Sequence, residues 1–554
     1  MKKESLNFIE REVAEAAERG QQIITRYPPE PNGYMHIGHA KAFWLDYILA
    51  KKYGGYTNLR FDDTNPAKED MEYVDAMQRD MKWLGLEWRQ VLFASDYYEQ
   101  LYSMACDLIK KDLAYVDNQS ADEITKNRGS LSTPGANSPY RNRTTKENLE
   151  LFTKMRDGAF PDGHCVLRAK IDMASGNINM RDPVMYRIDG TEHYRLGKRW
   201  VIYPLYDFAH PLSDAMEGIS HSICSLEYED HRPLYDWFIE HAFDKKYLSG
   251  TLAPEVIKNY KKPLQLEFSR LNIEQTVMSK RFLKKLVDEG VVDGWDDPRM
   301  PTISGMRRRG YPAKAIMDFV ASTGVSKTPM SVPLLALEFY VRNHLEPIAP
   351  RVSVVCNPIK IVITNYEKGQ VEKLNIANHP NNPEMGAHEM YFGREIYIDG
   401  GDFMEISPPK YKRLTVGGIV RLRGAYIIKC EKVVYNKDMS ISHLECTYYE
   451  NSKSGEDKSG IKPAGTIHFV EATTATQITV HEYLPLLISG TQLVQENINY
   501  NSKIVSGALA EPYIKTVSRK SAFQAVRNGF YVLDKSAGHD KLVLCKTVGL
   551  REGN

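Results

Sequence analysis

Hydrophobic and polar residues follow two different periods in the first part of the chain. A strand-like run at 21–27 leads into a Pro/Gly-rich loop, and large apolar residues then recur at helical spacing: Phe43, Trp44, Tyr47 and Ile48. A second strand-like run at 57–61 precedes another helical series, which consists of Met71, Val74, Met77, Met81 and Leu84. Strands that alternate with helices predict an α/β domain with a parallel sheet.

The pattern changes further along the chain. A segment rich in Ser, Thr, Gly, Pro and Asn, RGSLSTPGANSPYRNR, interrupts the alternation and lies inside a predicted insertion at 99–199, after which the sheet is expected to resume near Trp200. Helical patterns occupy 273–345. Short β-rich segments between turn residues follow Arg351 and predict one or two β-barrels.

Composition excludes several classes of protein. With 554 residues, 42% of them hydrophobic and 26% charged, the chain is long enough for several folded domains and is not of the disordered type. The formal net charge of +1 provides no global field, so a polyanionic partner must bind local patches. Seven cysteines without a C-x-x-C pair suggest neither a zinc site nor a disulfide framework. No signal peptide or membrane-length apolar run is evident, which predicts a cytoplasmic protein.

The segment His36-Ile37-Gly38-His39 lies where the Pro/Gly loop meets the first predicted helix. Its two histidines are three positions apart on one face of the first turn, so both imidazoles can point at one ligand. A helix N-terminus offers unpaired N–H groups and a positive dipole end, which suit a phosphate. The alternative is a capped helix with two solvated or core histidines. The position at a strand-to-helix turn favours a nucleotide site.

A second segment, VMSKR, places Ser279 and Lys280 in a polar stretch, where the lysine can approach a triphosphate as a point charge. Adenylyl transfer needs no protein nucleophile, because the carboxylate of the substrate attacks the α-phosphate; hydrogen-bond donors and cations are sufficient. His36, His39, Lys280 and a magnesium ion would supply them. The alternative is that the Ser-Lys pair is a solvated part of a loop.

Six segments, read in chain order, resemble class I aminoacyl-tRNA synthetases of the glutamine and glutamate subgroup: PPEPNGYMHIGHA, RFDDTNPAKED, YPLYDFAHPLSDAMEG, LEFSRLN, TVMSKR and GWDDPRMPTISGMRRRGY. The resemblance spans nearly the whole chain and implies a multidomain α/β plus β fold. Its expected parts are a Rossmann-like parallel-sheet catalytic domain in two halves (20–98 and 200–272), an inserted acceptor-end-binding domain (99–199), a helical connector that begins with the MSK loop (273–345) and two anticodon-binding β-barrels (346–554).

The resemblance also implies roles for individual residues. Its ATP site comprises Glu30, Pro31, Asn32, His36, Ile37, Gly38, His39, Ala40, Lys41, Ala42, Ser225, Arg270, Leu271, Met278, Ser279 and Lys280. Its amino-acid site comprises Arg26, Asp62, Tyr206 and Gln265. An aspartate can pair with the α-ammonium, and a tyrosine hydroxyl can both donate and accept a hydrogen bond. By residue type alone, the apolar run around Tyr206 favours a core aromatic, and Asp62 could instead cap the helix that follows.

Cys224 distinguishes glutamine from glutamate as the expected substrate. Its position resembles that of the glutamine-specific members of the family, whereas glutamate-specific members typically have an arginine that pairs with the γ-carboxylate. Burying an unpaired carboxylate is costly, so a neutral thiol at this position favours glutamine. The alternative is that Cys224 is a small buried hydrophobe and that another residue supplies the cation.

On the RNA side, Leu131 resembles an apolar wedge that opens the acceptor stem, and Asp230 resembles a residue that contacts a base edge in its minor groove. The alternatives are a stray exposed leucine and a solvated acid. The residues that match family positions around the anticodon are Arg351, Lys412, Arg413, Gln524 and Arg527. Any of these basic residues could instead simply be solvated.

The resemblance therefore implies an enzyme that activates glutamine with Mg-ATP and transfers it to tRNA(Gln), and that requires bound tRNA for the activation step. No membrane and no obligate protein partner are expected. Two alternatives stay open at this point: a glutamate-specific ligase of the same subgroup and a catalytically silent tRNA-binding protein.

Overall fold

A computed structural model describes residues 6–489, 495–535, 537–538 and 541–551. The chain forms two compact units, Met1–Asn272 with Val320–Ser331, and Ile273–Phe319 with Val332–Asn554. No helix within the described ranges has both the length and the apolar character that a bilayer-spanning segment needs.

The helices and strands up to residue 273 are, in chain order, α1 (Phe8–Glu18), β1 (Ile24–Tyr27), α2 (Ile37–Lys52), β2 (Tyr56–Phe61), α3 (Met71–Trp83), β3 (Val91–Phe93), α4 (Tyr98–Lys110), β4 (Ala114–Asp117), α5 (Ala121–Asn127), α6 (Thr145–Arg156), β5 (Val166–Ala169), β6 (Val184–Ile188), β7 (Ile202–Pro204), α7 (Tyr206–Met216), β8 (His221–Ser225), α8 (Arg232–Ala242), α9 (Pro254–Lys258), β9 (Leu264–Phe268) and β10 (Leu271–Ile273).

The predicted parallel α/β arrangement is confirmed. Strands β1, β2 and β3 pair in parallel in that order, and β8 pairs in parallel with β9. Ser220 joins the two sheets, because its amide donates to the Ile24 carbonyl at 2.8 Å while its hydroxyl accepts from the Ile24 amide at 2.8 Å. The predicted helical series beginning at Met71 forms α3, which is capped by Asp70. Its apolar side buries Val74 and Met77.

The segment after β3 forms an antiparallel sheet of four strands, in the order β4, β5, β6, β7. We expected the parallel sheet to resume near Trp200, but β7 pairs antiparallel with β6, and β8 is the next parallel strand. The reason is packing: Trp200 and Ile202 belong to the same hydrophobic cluster as Leu101, Phe152 and Leu167.

The remaining helices and strands are α10 (Lys280–Asp288), α11 (Ile303–Arg308), α12 (Ala313–Ser322), β11 (Met330–Val332), α13 (Leu334–Leu345), β12 (Arg351–Val352), β13 (Val354–Val355), β14 (Pro358–Ile363), β15 (Val371–Ala377), β16 (Ala387–Gly393), β17 (Glu395–Asp399), β18 (Ile419–Leu422), β19 (Ile427–Tyr435), β20 (Ile441–Tyr449), β21 (Thr466–Ile467), β22 (Phe469–Glu471), β23 (Thr476–Tyr483), β24 (Lys503–Ala510), β25 (Phe523–Ala525), β26 (Gly529–Leu533) and β27 (Val543–Gly549).

Two sheets of seven strands occupy the last third of the chain and confirm the predicted barrels. In one sheet β12 and β13 are the two edge strands, and in the other β21 and β22 are. The edges of each sheet are joined directly by the chain, because a single residue separates β12 from β13 and β21 from β22. Each sheet therefore returns close to its own beginning and encloses a core, which leaves few unpaired strand edges.

Candidate active site

Two histidines at the start of α2, one at its N-cap and one in its first turn, fix each other. His36 is the N-cap of α2, and its Nδ1 accepts a hydrogen bond from the Gly38 amide at 3.1 Å. The Nδ1 of His39 accepts from the His36 amide at 3.1 Å, and the ring centroids lie 3.7 Å apart. Because Nδ1 is the acceptor in both rings, each neutral imidazole carries its proton on Nε2. The motif thus offers two N–H donors in fixed orientations.

The carboxyl ends of the parallel strands bring a second loop beside the first. Residues 28–36 follow β1 and residues 62–70 follow β2, so both loops leave the same edge of the sheet, where ligands bind in open α/β folds. Two main-chain hydrogen bonds join them: the Asp62 amide donates to the Pro29 carbonyl at 3.0 Å, and the Asp70 amide donates to the Pro31 carbonyl at 3.1 Å. Asp62 is thereby fixed beside the segment that leads to the histidines.

Asp62 is a buried carboxylate at this edge of the sheet. It is 5% exposed, and its Oδ1 accepts a hydrogen bond from the Thr64 hydroxyl at 3.0 Å. Burial and the neighbouring Glu30 raise the pKa of Asp62 to about 6, against the opposing charge of Arg60. At neutral pH the side chain is therefore largely ionised, and a cation bound beside it would be stabilised.

A buried charge cluster, consisting of Arg26, Arg60, His210, Asp214 and Glu217, lies between β1, β2 and α7. Asp214 Oδ1 accepts from Arg26 Nε at 2.9 Å and from Arg60 Nη2 at 2.7 Å. Burial alone would raise the pKa of Asp214, but the charges of Arg26, His210 and Arg60 hold it far below its usual value. Arg60 also pairs with Glu217 at 3.0 Å. Each buried guanidinium therefore has an acidic partner.

Arg26 connects this cluster to the predicted amino-acid pocket. Its Nη2 lies 3.5 Å from the Cys224 Sγ and donates to the Ser222 hydroxyl at 2.6 Å. Burial raises the pKa of the Cys224 thiol, which is therefore neutral. The Tyr206 ring stacks on His210 with centroids 4.7 Å apart, and burial raises the pKa of its phenol well above the usual value. The structure thus brings Arg26, Tyr206 and Cys224 together.

Gln265 supports the same pocket from β9. It lies opposite Ser222 in the β8–β9 ladder and is 4% exposed. Its Nε2 donates to the Tyr228 carbonyl at 3.2 Å and to Glu267 Oε1 at 3.1 Å. Because the Tyr228 ring lies 4.8 Å from the Tyr206 ring, Gln265 holds one wall of the pocket through the main chain of Tyr228.

His210, Asp214 and Arg60 were not predicted from the sequence. A signal for two of them existed, because Tyr206, His210 and Asp214 recur at intervals of four and so share one face of α7. Polar residues on one face of a largely buried helix indicate a buried polar network. Arg60 gave no such signal, since 154 positions separate it from Asp214.

Three of the residues of α2 that are predicted at the ATP site are buried. Ile37 and Ala40 are 0% exposed and Lys41 is 3% exposed. Burial also lowers the pKa of Lys41. Their side chains stabilise the packing of α2, so the polar groups of the motif are those of the two histidines.

The other residues predicted at the ATP site fall in both units. In the first unit, Glu30 accepts a hydrogen bond from Asn32, Pro31 is buried, Ala42 is half-buried, Ser225 ends β8, Arg270 pairs with Glu227 and Leu271 is buried. The MSK segment belongs to the second unit. There Ser279 is the exposed N-cap of α10, Lys280 is the first residue of that helix, and Met278 is half-buried.

Leu131 stands at the tip of a well-supported turn. It is 81% exposed, and Ser130 and Thr133 close the turn with reciprocal main-chain hydrogen bonds of 3.1 and 3.2 Å. The Arg181 Nη1 donates to the carbonyls of Arg128, Ser130 and Thr133 at 2.8 to 2.9 Å. The turn is therefore held in one conformation while its apolar tip is exposed to solvent. Arg181 was not predicted from the sequence.

Asp230 is exposed at the end of the segment between β8 and α8. Its main-chain carbonyl accepts from the Asn177 side chain at 2.7 Å and from the Asn179 side chain at 3.3 Å. These bonds fix the main chain at Asp230 and do not involve its carboxylate.

Two arginines predicted to contact the anticodon converge on one carboxylate in the second unit. Arg413 and Arg527 lie 3.3 and 2.8 Å from Asp402, and their side chains are 43% and 30% exposed. Lys412, next to Arg413, is exposed. This half-exposed charge cluster, Arg413, Arg527 and Asp402, presents cationic groups to solvent.

Arg351 and Gln524 form a second group in the same unit. They lie opposite each other in the β12–β25 ladder. The Arg351 guanidinium pairs with Glu346 at 2.6 Å, and the Gln524 amide donates to the same carboxylate at 3.2 Å. Because Arg351 is 5% exposed, most of its surface packs within the protein.

Family models of known proteins match most of the chain. The family model described as tRNA synthetases class I (E and Q), catalytic domain, matches residues 22–347. Two models described as tRNA synthetases class I (E and Q), anti-codon binding domain, match residues 349–449 and 466–534.

Individual relatives align with this chain over nearly their full length. The chain is 49% identical to a glutamine--tRNA ligase from Clostridium kluyveri, over 99% of this chain and 97% of that protein. It is 47% identical to the glutamine--tRNA ligase of Clostridium perfringens and 46% identical to that of Clostridioides difficile, each over 99% of this chain and 98% of the relative. The resemblance inferred from the motifs is thereby confirmed: the chain belongs to the class I tRNA synthetases of the E and Q group, and within that group to the glutamine--tRNA ligases.

Proposed function

We propose that the protein activates glutamine with ATP and transfers the glutaminyl group to the 3′-terminal adenosine of tRNA(Gln), in the cytoplasm. One observation carries the choice of substrate. The Cys224 thiol and the Tyr206 phenol are neutral, and the charge of Arg26, which lies 3.5 Å from the Cys224 sulfur, is balanced by Asp214.

In the first step, the α-carboxylate of glutamine attacks the α-phosphorus of ATP, the bond to the bridging oxygen breaks, and pyrophosphate leaves. The Nε2–H groups of His36 and His39 donate to the phosphoryl oxygens as negative charge develops on them, and the Lys280 ammonium adds a positive charge. Asp62 holds the α-ammonium of glutamine. No general base is needed, because the attacking carboxylate is already ionised.

In the second step, a ribose hydroxyl of the terminal adenosine attacks the carbonyl carbon of the adenylate, the bond from that carbon to the phosphate oxygen breaks, AMP leaves, and the hydroxyl proton is released to water. We assign residues 20–98 and 200–272 to catalysis, 99–199 to the acceptor end, 273–345 to the connector and 346–554 to the anticodon. Leu131 and Asp230 would contact the acceptor stem, and the anticodon would be bound by Arg351, Lys412, Arg413, Gln524 and Arg527. Activation itself would require bound tRNA.

Magnesium would enter with ATP and neutralise phosphate charge. Within the described ranges, one group of side chains has the proximity of metal ligands, and it consists of His481, Asp534 and Cys545 of the second unit. We assign the magnesium ion of Mg-ATP no protein ligand.

The preference for glutamine follows from charge. A glutamate side chain would lose its hydration in a pocket whose nearby guanidinium already has a carboxylate partner, whereas a carboxamide needs only one donor and one acceptor. Aminoacylation of tRNA(Gln) at equal concentrations of the two amino acids tests this. We expect a large excess of glutaminyl product, and a preference for glutamate would refute the assignment.

Variants at Cys224 sharpen the same assay. Cys224→Arg places a cation in the pocket and is expected to shift the glutamine-to-glutamate ratio of kcat/KM towards glutamate by at least about tenfold. Cys224→Ala keeps the pocket neutral and serves as the control, with a preference for glutamine retained.

Lys280→Ala tests the catalytic part of the proposal. Because Lys280 stabilises charge that develops in the transition state, its loss should lower kcat by about 10² to 10³ and leave the affinity for tRNA little changed. Lys284→Ala, an exposed lysine of the same helix, is the control. Turnover near the wild-type value in the Lys280 variant would exclude this role.

A further inference from the structure

The loop that carries Asp62 contains a buried carboxylate with no part in the proposed reaction. Glu69 immediately precedes the N-cap of α3 and is 7% exposed. Its Oε1 accepts a hydrogen bond from the Asn65 amide at 2.9 Å, which closes the loop from inside. Its Oε2 is buried and has no hydrogen-bond partner within the part of the chain that the structure describes.

Carboxylates dominate the electrostatic environment of Glu69. Asp63, Asp62 and Glu30 all disfavour its ionised form. Asp63 is itself fully buried, and its oxygens accept hydrogen bonds from the amide and the hydroxyl of Ser95 at 2.8 and 2.6 Å. The residues that face Glu69 thus add negative charge to its surroundings.

The neighbouring cations are committed to other acceptors. Arg195 lies 3.6 Å from Asp63, and Arg187 donates to the Thr64 carbonyl at 3.2 Å. Arg60 belongs to the buried charge cluster. The phenols of three tyrosines also respond to the charge of Glu69: Tyr98, Tyr194 and Tyr203. His193 contacts Asp63.

We propose that Glu69 is a positioning residue of the amino-acid site. As a neutral carboxylic acid it keeps residues 62–70 closed through Asn65, and so fixes Asp62 for the α-ammonium of glutamine without adding a further anion to the loop. The inference rests on the proposed function, because it takes Asp62 as the partner of the ammonium.

The distribution of protons within the loop supports this role. Several carboxylates that share one buried site cannot all ionise, so the proton settles on the group with the least compensation. Burial, Asp63 and Asp62 raise the pKa of Glu69 to about 9, whereas burial raises the pKa of Asp63 only to about 7 and that of Asp62 only to about 6. At neutral pH the proton therefore stays on Glu69, and Asp62 is free to ionise.

Two substitutions separate the hydrogen bond from the charge. Glu69→Gln keeps an acceptor for the Asn65 amide and is neutral, so we expect glutamine KM, ATP KM and kcat within about twofold of wild type. Glu69→Leu leaves that amide buried without a partner and should raise glutamine KM by about tenfold, with ATP KM little changed. Glu87→Leu, an exposed carboxylate just after α3, is the control.

A pH profile gives a readout that a purely structural role would not affect. We would measure kcat/KM for glutamine between about pH 5 and about pH 8 in the wild type and in Glu69→Gln. The acid limb, set by Asp62, should coincide in the two proteins because the charge at position 69 is the same. If Glu69 were ionised in the wild type, removing that charge in Glu69→Gln would shift the acid limb to lower pH by about one unit.

Three outcomes would overturn the proposal: an acid limb at lower pH in Glu69→Gln than in the wild type, an unchanged glutamine KM in Glu69→Leu, or an equal rise of glutamine KM in both variants. The profile of Glu69→Gln decides the question even if Glu69→Leu does not fold. A wild-type protein that activates no glutamine would refute the proposed function itself, which is a distinguishable result.

Discussion

Two regions of the molecule place a pair of arginines against one aspartate, and they differ in exposure to solvent. In the first unit, Arg26 and Arg60 share Asp214, and none of the three side chains is more than 2% exposed. Charges removed from water in this way cost several kcal/mol each unless they stay together. The buried charge cluster is therefore a rigid support for the amino-acid pocket.

The half-exposed charge cluster of the second unit also places two arginines on one aspartate, but the consequence is different. Asp402 is buried, but Arg413 and Arg527 retain access to water. An ion pair of this kind contributes about 1 kcal/mol or less, so either guanidinium can exchange its partner at low cost. The comparison shows that burial decides whether an arginine pair supports a pocket or is available to a polyanion.

The largest expected effect is on stability. Asp214→Asn leaves two buried guanidinium groups without their common anion and should destabilise the first unit by about 3 to 5 kcal/mol. Asp402→Asn should cost the second unit about 1 kcal/mol, because its arginines can be hydrated instead. Hydrogen exchange, followed separately for amides of each unit, measures both. Equal losses would contradict the role given to burial.

A smaller effect concerns pH and the pocket that the buried charge cluster supports. Because burial raises the pKa of Asp62 to about 6, the anion that binds the α-ammonium is lost as the pH falls through that value. Glutamine KM should therefore rise by about tenfold per pH unit below it. Steady-state kinetics with ATP KM as the internal control measures this rise. A glutamine KM that stays flat down to about pH 5 would remove Asp62 from the site.

The smallest effect is expected in the half-exposed charge cluster. Arg527→Ala should weaken tRNA binding by about threefold to tenfold, reduce the salt dependence of log Kd by about one unit of slope, and change stability by less than about 1 kcal/mol. Filter binding at several salt concentrations measures the slope. Lys314→Ala, an exposed lysine of α12, is the control. A large loss of stability with unchanged RNA binding would make Arg527 a structural residue like Arg26.

Local features of the fold were predictable from the sequence because their causes are local. The 3.6-residue period of the series from Met71 predicted α3, and the position of His36 before an apolar run predicted the start of α2. The antiparallel pairing of β7 was not predictable, since three residues of strand carry no sign of their partner.

Some residues of the candidate site could be predicted from the sequence and others could not, for the same reason. Asp62 and the histidines lie in contiguous motifs, whereas the partners of Arg26 and Arg60 lie more than 150 positions away. Arg181 could not be connected to Leu131 for the same reason, because its three carbonyl acceptors are 48 to 53 positions distant. Long-range hydrogen bonds are properties of the folded chain and leave no periodic trace in its sequence.

The two main-chain hydrogen bonds between residues 28–36 and residues 62–70 also bear on how the substrates bind. A displacement of either segment is transmitted to the other, because both ends of the contact are main chain. If nucleotide binding increases the affinity for the amino acid by some factor, thermodynamic linkage requires the amino acid to increase nucleotide affinity by the same factor. This mutual increase would favour the complex with both the nucleotide and the amino acid bound over a complex with either one alone.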